Sequence, residues 1–127
     1  MPRRLIASGS PFEPVIGFSR AVVEGHHVVV AGTAPVMPDG GDPPADAFGQ
    51  TRRVLQIIVA ALAEAGAGPE HVVRTRTYLT DADDWEEVGR AHGEVFADIR
   101  PASTMIVVSA FLDPRWRVEM EADAILP

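Results

Sequence analysis

The C-terminal segment alternates strictly: Val118, Met120, Ala122 and Ala124 interleave with Glu119, Glu121 and Asp123. A period of two is the signature of a β-strand, so the two sets leave on opposite faces of a sheet. One face is apolar enough for a core and the other carries three carboxylates. The pattern predicts a strand over Arg117–Ile125 in a two-faced sheet whose apolar side needs a layer of helices.

The other segments supply that layer. Leu55, Ile58, Val59, Leu62 and Ala65 recur at three- and four-residue spacing, which predicts a helix over Ala45–Ala65 stopped by a left-handed Gly66. A second helix is expected to open at Asp83-Asp84-Trp85-Glu86, with Asp83 as cap and Glu86 three residues on. Its core face reads Trp85, Val88, His92, Val95 and Phe96, and a close contact is the expected reason for Gly89 and Gly93. Between the helices, Val72–Thr80 alternates, Val73, Thr75, Thr77 and Leu79 facing away from Val72, Arg74, Arg76 and Tyr78. Two short strands within Val22–Ala31 flank the turn Glu24-Gly25-His26-His27, and the run Val28–Ala31 reads as a strand covered on both faces. Thr104–Ser109 is a further strand. The expected order is β-β-α-β-α-β-β, an α/β (α+β) domain spanning 1–127, with both helices on one side of a mixed sheet. The opposite face would be bare in a monomer, so burial against copies of the same chain is expected.

Absent residue types narrow the chemistry. There is no cysteine, which removes disulfides, thiolate nucleophiles and sulfur-bound zinc. All eleven basic residues are arginine, so a lysine Schiff base and a phosphate-loop lysine are excluded. The net charge of −7 repels phosphate backbones, which argues against nucleic acid as a partner. No apolar run approaches membrane-spanning length and no signal-peptide pattern opens the chain, so a cytoplasmic protein with no membrane partner is expected. The four histidines lack metal-ligand spacing, and no metal site is expected.

Three stretches resemble the RidA/YjgF family, which has a chorismate-mutase-like fold. They are Gly17-Phe18-Ser19-Arg20-Ala21-Val22, then Val72–Asp81, then Arg100-Pro101-Ala102-Ser103-Thr104 followed by Val118–Ala122. With Gly32 they span most of the chain in matching order. The resemblance implies a homotrimer with a small-molecule cleft at each subunit junction, and hydrolytic deamination of enamines or imines without a cofactor. It also implies that Glu119 is the catalytic glutamate, orienting water or moving a proton. An arginine that grips the substrate carboxylate in the family is matched here by Ser103, the family's opening tyrosine by Phe18, and an asparagine of the second helix by Gly89. The loss of a guanidinium removes charge-assisted bonds of roughly 1.5–3 kcal/mol each, so the usual 2-aminoacrylate is not the expected substrate. The chain is similar to a branch of the family lacking that arginine.

Each candidate has a plainer reading. Glu119 reads equally as a solvated charge paired with Arg117 or Arg74. Ser103 reads as a turn hydroxyl satisfying nearby backbone, and His92 as a core histidine with one nitrogen satisfied. Arg20 and Arg76 either form salt bridges to acidic neighbours across an interface or supply the missing carboxylate grip. Phe18, Gly32 and Met105 complete the expected cleft. Two functions follow: a cofactor-free enzyme acting on an enamine, imine or related small metabolite, and a trimeric module that binds such a ligand without turnover.

Overall fold

The computed structural model describes residues 2–127, so Met1 lies outside the description. The order is β1 (Arg4–Ile6), β2 (Ala21–Glu24), β3 (His27–Thr33), α1 (Ala47–Glu64), β4 (Val72–Leu79), α2 (Trp85–Phe96), β5 (Ala102–Val107) and β6 (Val118–Ile125). The six strands form one mixed sheet in the order β1-β2-β3-β6-β4-β5, with β4 and β5 the parallel pair. The expected order lacked β1, whose three residues carry too short an alternation to be seen; it is held by antiparallel pairing with β2.

The β2–β3 hairpin turns on Gly25-His26 alone, because Glu24 pairs with His27. Gly25 has φ +59°, the left-handed first position that a tight hairpin of this kind requires. α1 begins two residues later than expected, where the Asp46 carboxylate accepts the Gly49 N–H. Val54, Leu55, Ile58, Ala61 and Leu62 are its buried apolar face, while Val59 is only half-buried at the margin.

The start of α2 differs from the capping box read in the sequence. Asp81, not Asp83, caps through its carboxylate, opening a short 3₁₀ turn over Ala82–Asp84. Asp84 then precedes the helix without capping it, because its carboxylate is held by Arg117 Nε and Nη2 at 3.0 and 2.8 Å. Asp84 therefore turns inward and Trp85 outward: Trp85 is 59% exposed and is no part of the core. Gly89 and Gly93 have no close neighbour either, since a Cβ at either position would meet nothing within 4 Å.

In β4 the strict alternation fails at two residues, Val72 and Val73. The register shifts between Val72 and Arg74, so Val72 joins Thr75, Thr77 and Leu79 in the interior and Val73 is exposed. A bulge at the strand entry reverses the parity of the residues before it. Beyond the bulge, the inward hydroxyl of Thr77 is buried with no hydrogen-bond partner among the described residues. Thr77→Val, an isosteric change that removes this unpaired group, is expected to stabilise the chain by about 1 kcal/mol. Thermal melting checks this, and a lower midpoint would mean that the hydroxyl is satisfied after all.

The core lies between α1 and α2 and one sheet face, with Val28, Val30, Met120, Ala122 and Ala124 as its β-side. The expectation that β3 is covered on both faces fails in the protomer: Val28 and Val30 are buried but Val29 is 50% exposed. The open face carries Leu5, Val22 and Val29 in register with one another and with Asp123. Arg76, Tyr78, Glu119 and Glu121 occupy its other half. Among the described residues no helix is long and apolar enough to cross a membrane.

Candidate active site

Glu119 lies on the open face because Val118 and Met120 take the inward positions of β6. Its neighbours are set by a break in the β3–β6 ladder between Val30 and Thr33. There Thr33 is buried, and a Cβ placed on Gly32 would sit 3.6 Å from Glu119 Oε1. Alanine would just touch the carboxylate, and any longer side chain would cover it. Glycine at this point leaves the carboxylate accessible.

Arg20 closes the other side. Its Nη1 donates to the Gly32 carbonyl at 3.2 Å and to Thr33 Oγ1 at 2.8 Å, which fixes the guanidinium against the same break in the ladder. Burial pushes the Glu119 carboxyl above its usual value, and the attraction of Arg20 pulls it partly back. Neither ion-pair partner expected for Glu119 is used: Arg117 is taken by Asp84, and no bond joins Glu119 to Arg74 among the described residues. A carboxylate with partial burial and no hydrogen-bond donor of its own is poised to take up a proton.

The burial of Glu119 has a consequence for stability. A carboxyl whose folded pKa is raised adds stability that is complete below its unfolded value, near 4.5, and is lost as pH rises through the folded value. At neutral pH the charge therefore costs the fold something. Glu119→Gln is expected to melt higher than the parent at pH 7, with the gap closing as the pH approaches that unfolded value. Parallel melting curves across this range check it, and a gap that widens on acidification would reverse the sign.

Phe18 follows a π-helical turn over Glu13–Gly17 and, with Leu5, Pro14 and Val22, borders a shallow groove at the β1–β2 end. Arg76 is engaged within its own chain, at 3.3 Å from Glu121 and 3.5 Å from Asp123, and Tyr78 donates to the same Glu121 at 2.9 Å. This favours the salt-bridge reading of Arg76 over a free carboxylate grip, although the bridge runs within one protomer.

The remaining candidates sit across the sheet. Ser103 pairs with Thr75 in the parallel β4–β5 register, and Thr75 is wholly buried on the helix side. Thr75 Oγ1 lies 3.0 Å from Ser103 Oγ and 2.9 Å from His92 Nε2, linking the three side chains. The His92 ring packs on Phe96 at a centroid distance of 4.6 Å, and burial pushes its pKa below the usual histidine value. Met105, opposite Thr77, is partly buried on the same side. Thr75 joins the site although its sequence marked it only as a strand residue. No sequence signal identifies it, since its role depends on the β4–β5 register.

Within one chain the candidates thus form two groups. Arg20, Gly32 and Glu119 are together beside the open face, with Phe18 towards the β1–β2 end. Ser103, His92 and Met105 belong to the helix-side face next to β5, a strand exposed along nearly its whole length. Among the described residues, no three His, Asp or Glu side chains converge as a metal site would need.

The model of the Endoribonuclease L-PSP family matches residues 9–126. A RutC family protein of Pyrococcus abyssi is 34% identical over 125 residues, covering 98% of each chain. A 2-iminobutanoate/2-iminopropanoate deaminase of Escherichia coli is 29% identical over 104 residues, 80% of each chain. Among solved structures, a YjgF/YER057c/UK114 family member from Mycobacterium tuberculosis is 45% identical and superposes with a TM-score of 0.90, covering 98% of this chain and 100% of its own. The fold is the chorismate-mutase-like fold of those structures. On a family match over nearly its whole length, together with close agreement in structure, the chain belongs to the YjgF/RutC family.

Proposed function

We propose that this protein accelerates the hydrolysis or tautomerisation of a small enamine or imine, without a cofactor, in clefts between the subunits of a homotrimer. One observation carries the reading: Glu119 and Ser103 belong to opposite faces of the same sheet. A single small ligand touching both must lie between two copies, one offering its open face and the other its β5 edge. The apolar row of exposed Leu5 and Val29 with half-buried Val22 between them gives the copies a reason to associate.

In this cleft Glu119 takes a proton from a water as the water oxygen bonds to the C=N carbon, and passes that proton to the nitrogen. Collapse of the resulting carbinolamine breaks the C–N bond and releases ammonia and a carbonyl compound. The deaminase activity named for the Escherichia coli relative supports this class of reaction. Ser103, in place of the family's arginine, directs it to substrates whose recognition does not depend on a guanidinium–carboxylate pair. A trimer that holds such a ligand without turnover is the second reading, favoured by the same serine.

The test is imine decay. Imines generated in situ by an amino acid oxidase and by an amine oxidase are trapped with semicarbazide, with and without the protein. Faster loss of trappable imine supports the enzyme. Saturable binding with unchanged decay for both would leave the binding module instead.

A further inference from the structure

We infer that Ser103 is an activated hydroxyl, coupled to the imidazole of His92 through the buried hydroxyl of Thr75. The inference concerns a second chemistry, nucleophilic attack on neutral acyl or phosphonyl electrophiles, and it stands independently of imine turnover.

The geometry is a chain of two hydrogen bonds. Ser103 is exposed on the edge strand, Thr75 is 0% exposed, and His92 is half-buried, with Oγ–Oγ1 and Oγ1–Nε2 separations of 3.0 and 2.9 Å. Both lengths suit proton transfer, and Thr75 is sealed from water that could interrupt it. A hydroxyl donates one proton and accepts at its lone pairs, so the chain has two polarities. With the ring proton on Nε2, His92 donates to Thr75 and Thr75 donates to Ser103. With it on Nδ1, Ser103 donates to Thr75 and Thr75 to a basic Nε2. The structure has Thr75 donating to Ser103, the first polarity; turning the two hydroxyls gives the second, which places a base behind the exposed serine, as a nucleophilic serine needs.

The surroundings keep that base neutral. Phe96 of the same helix packs against the ring at a tilt of 41°, Thr75 faces it from β4, and burial alone lowers its pKa, with no charged group contributing. Burial thus favours the neutral form of the His92 imidazole.

The step balances as follows. As Ser103 Oγ bonds to the carbonyl carbon of an ester, its proton passes to Thr75 Oγ1 and the Thr75 proton to His92 Nε2. The ester C–O bond then breaks, and the departing alkoxide takes a proton from a solvent water at the exposed edge strand, since Ser103 Oγ is now acylated and Thr75 is buried. The hydroxide so formed bonds to the acyl carbon, the bond to Ser103 Oγ breaks, and the imidazolium proton returns through Thr75 to Ser103 Oγ as the acid is freed.

The experiment uses the intact protein and a fluorophosphonate probe, read by peptide mass spectrometry. Here the Ser103 oxygen–phosphorus bond forms, the P–F bond breaks, fluoride leaves and the serine proton goes to His92. The expected result is a label on Ser103, absent in Ser103→Ala, with a rate that falls on acidification as His92 takes up a proton. His92→Gln keeps a hydrogen bond to Thr75 but has no base, and should slow labelling roughly 100-fold. Thr75→Ser should retain the rate and Thr75→Val lose it. Absence of label on Ser103, or equal rates in the parent and His92→Gln, overturns the inference, whether or not Thr75→Val folds. An imine assay on the same preparation separates the two conclusions, because labelling requires no imine.

Discussion

Replacing Glu119 by alanine is expected to reduce the acceleration of imine decay by at least about 100-fold, the lower bound for loss of a positioned acid–base group. The expectation rests on how little else is available there. Gly32 contributes no side chain, and its carbonyl accepts from Arg20. Arg20 is fixed by that bond and the one to Thr33, and a guanidinium does not give up a proton at working pH. Tyr78 shares the face, but its hydroxyl donates to Glu121, which raises its pKa further from neutrality. Glu119 is the one group of this set with an accessible carboxylate and a pKa displaced towards neutral. Steady-state decay rates check the prediction, with trimer content measured alongside so that a loss of assembly is not mistaken for a loss of chemistry. The pH dependence adds a second constraint. If Glu119 acts as a base, the rate should fall as pH drops through a value above that of an ordinary glutamate. Glu119→Gln should remove the activity while preserving shape. A rate in Glu119→Ala equal to the parent's would leave the carboxylate with no catalytic part.

Much of this arrangement is legible in the sequence because it follows from period-two logic. Val118–Ile125 announces both its strand and the side on which Glu119 leaves, and the α1 stripe announces its buried face. Features that depend on pairing register are not legible. Thr75 is a β-branched strand residue like its neighbours until β5 is placed beside it, when Ser103 falls opposite and His92 closes the chain from above. The bulge at Val72–Arg74 inverts Val72 and Val73 for the same reason. Gln50 is a further case. It sits among polar residues at the start of α1, yet it is buried, donating to the Pro44 and Arg115 carbonyls and accepting from the Arg117 N–H. Only the folded loops reveal those partners. The opening of α2 reads differently from its expected capping box because Asp84 has a competing partner, Arg117, 33 residues away.

Val29→Lys should separate the proposed trimer into protomers and abolish any activity that needs the cleft. In the lone protomer the change is mild. Val29 is half exposed on the open face and pairs across the ladder with Asp123, so a lysine there remains hydrated beside a carboxylate. Such exposed pairs contribute about 0–1 kcal/mol. In a trimer that closes its open faces together, the same ammonium must leave water. The effective penalty is several kcal/mol per ion even after relaxation, and the side chain that vacates the seam is worth roughly 1.5–3 kcal/mol when buried. A net loss of about 4 kcal/mol corresponds to roughly a 1,000-fold weaker association. Sedimentation velocity checks it: the parent should run as three chains and Val29→Lys as one, with melting of the isolated protomer close to that expected from its intact core. Two outcomes would break the argument. A parent that sediments as a single chain at micromolar concentration removes the seam on which the cleft depends. A Val29→Lys variant that remains trimeric shows that the copies meet through some other surface, and Glu119 and Ser103 then have no common ligand.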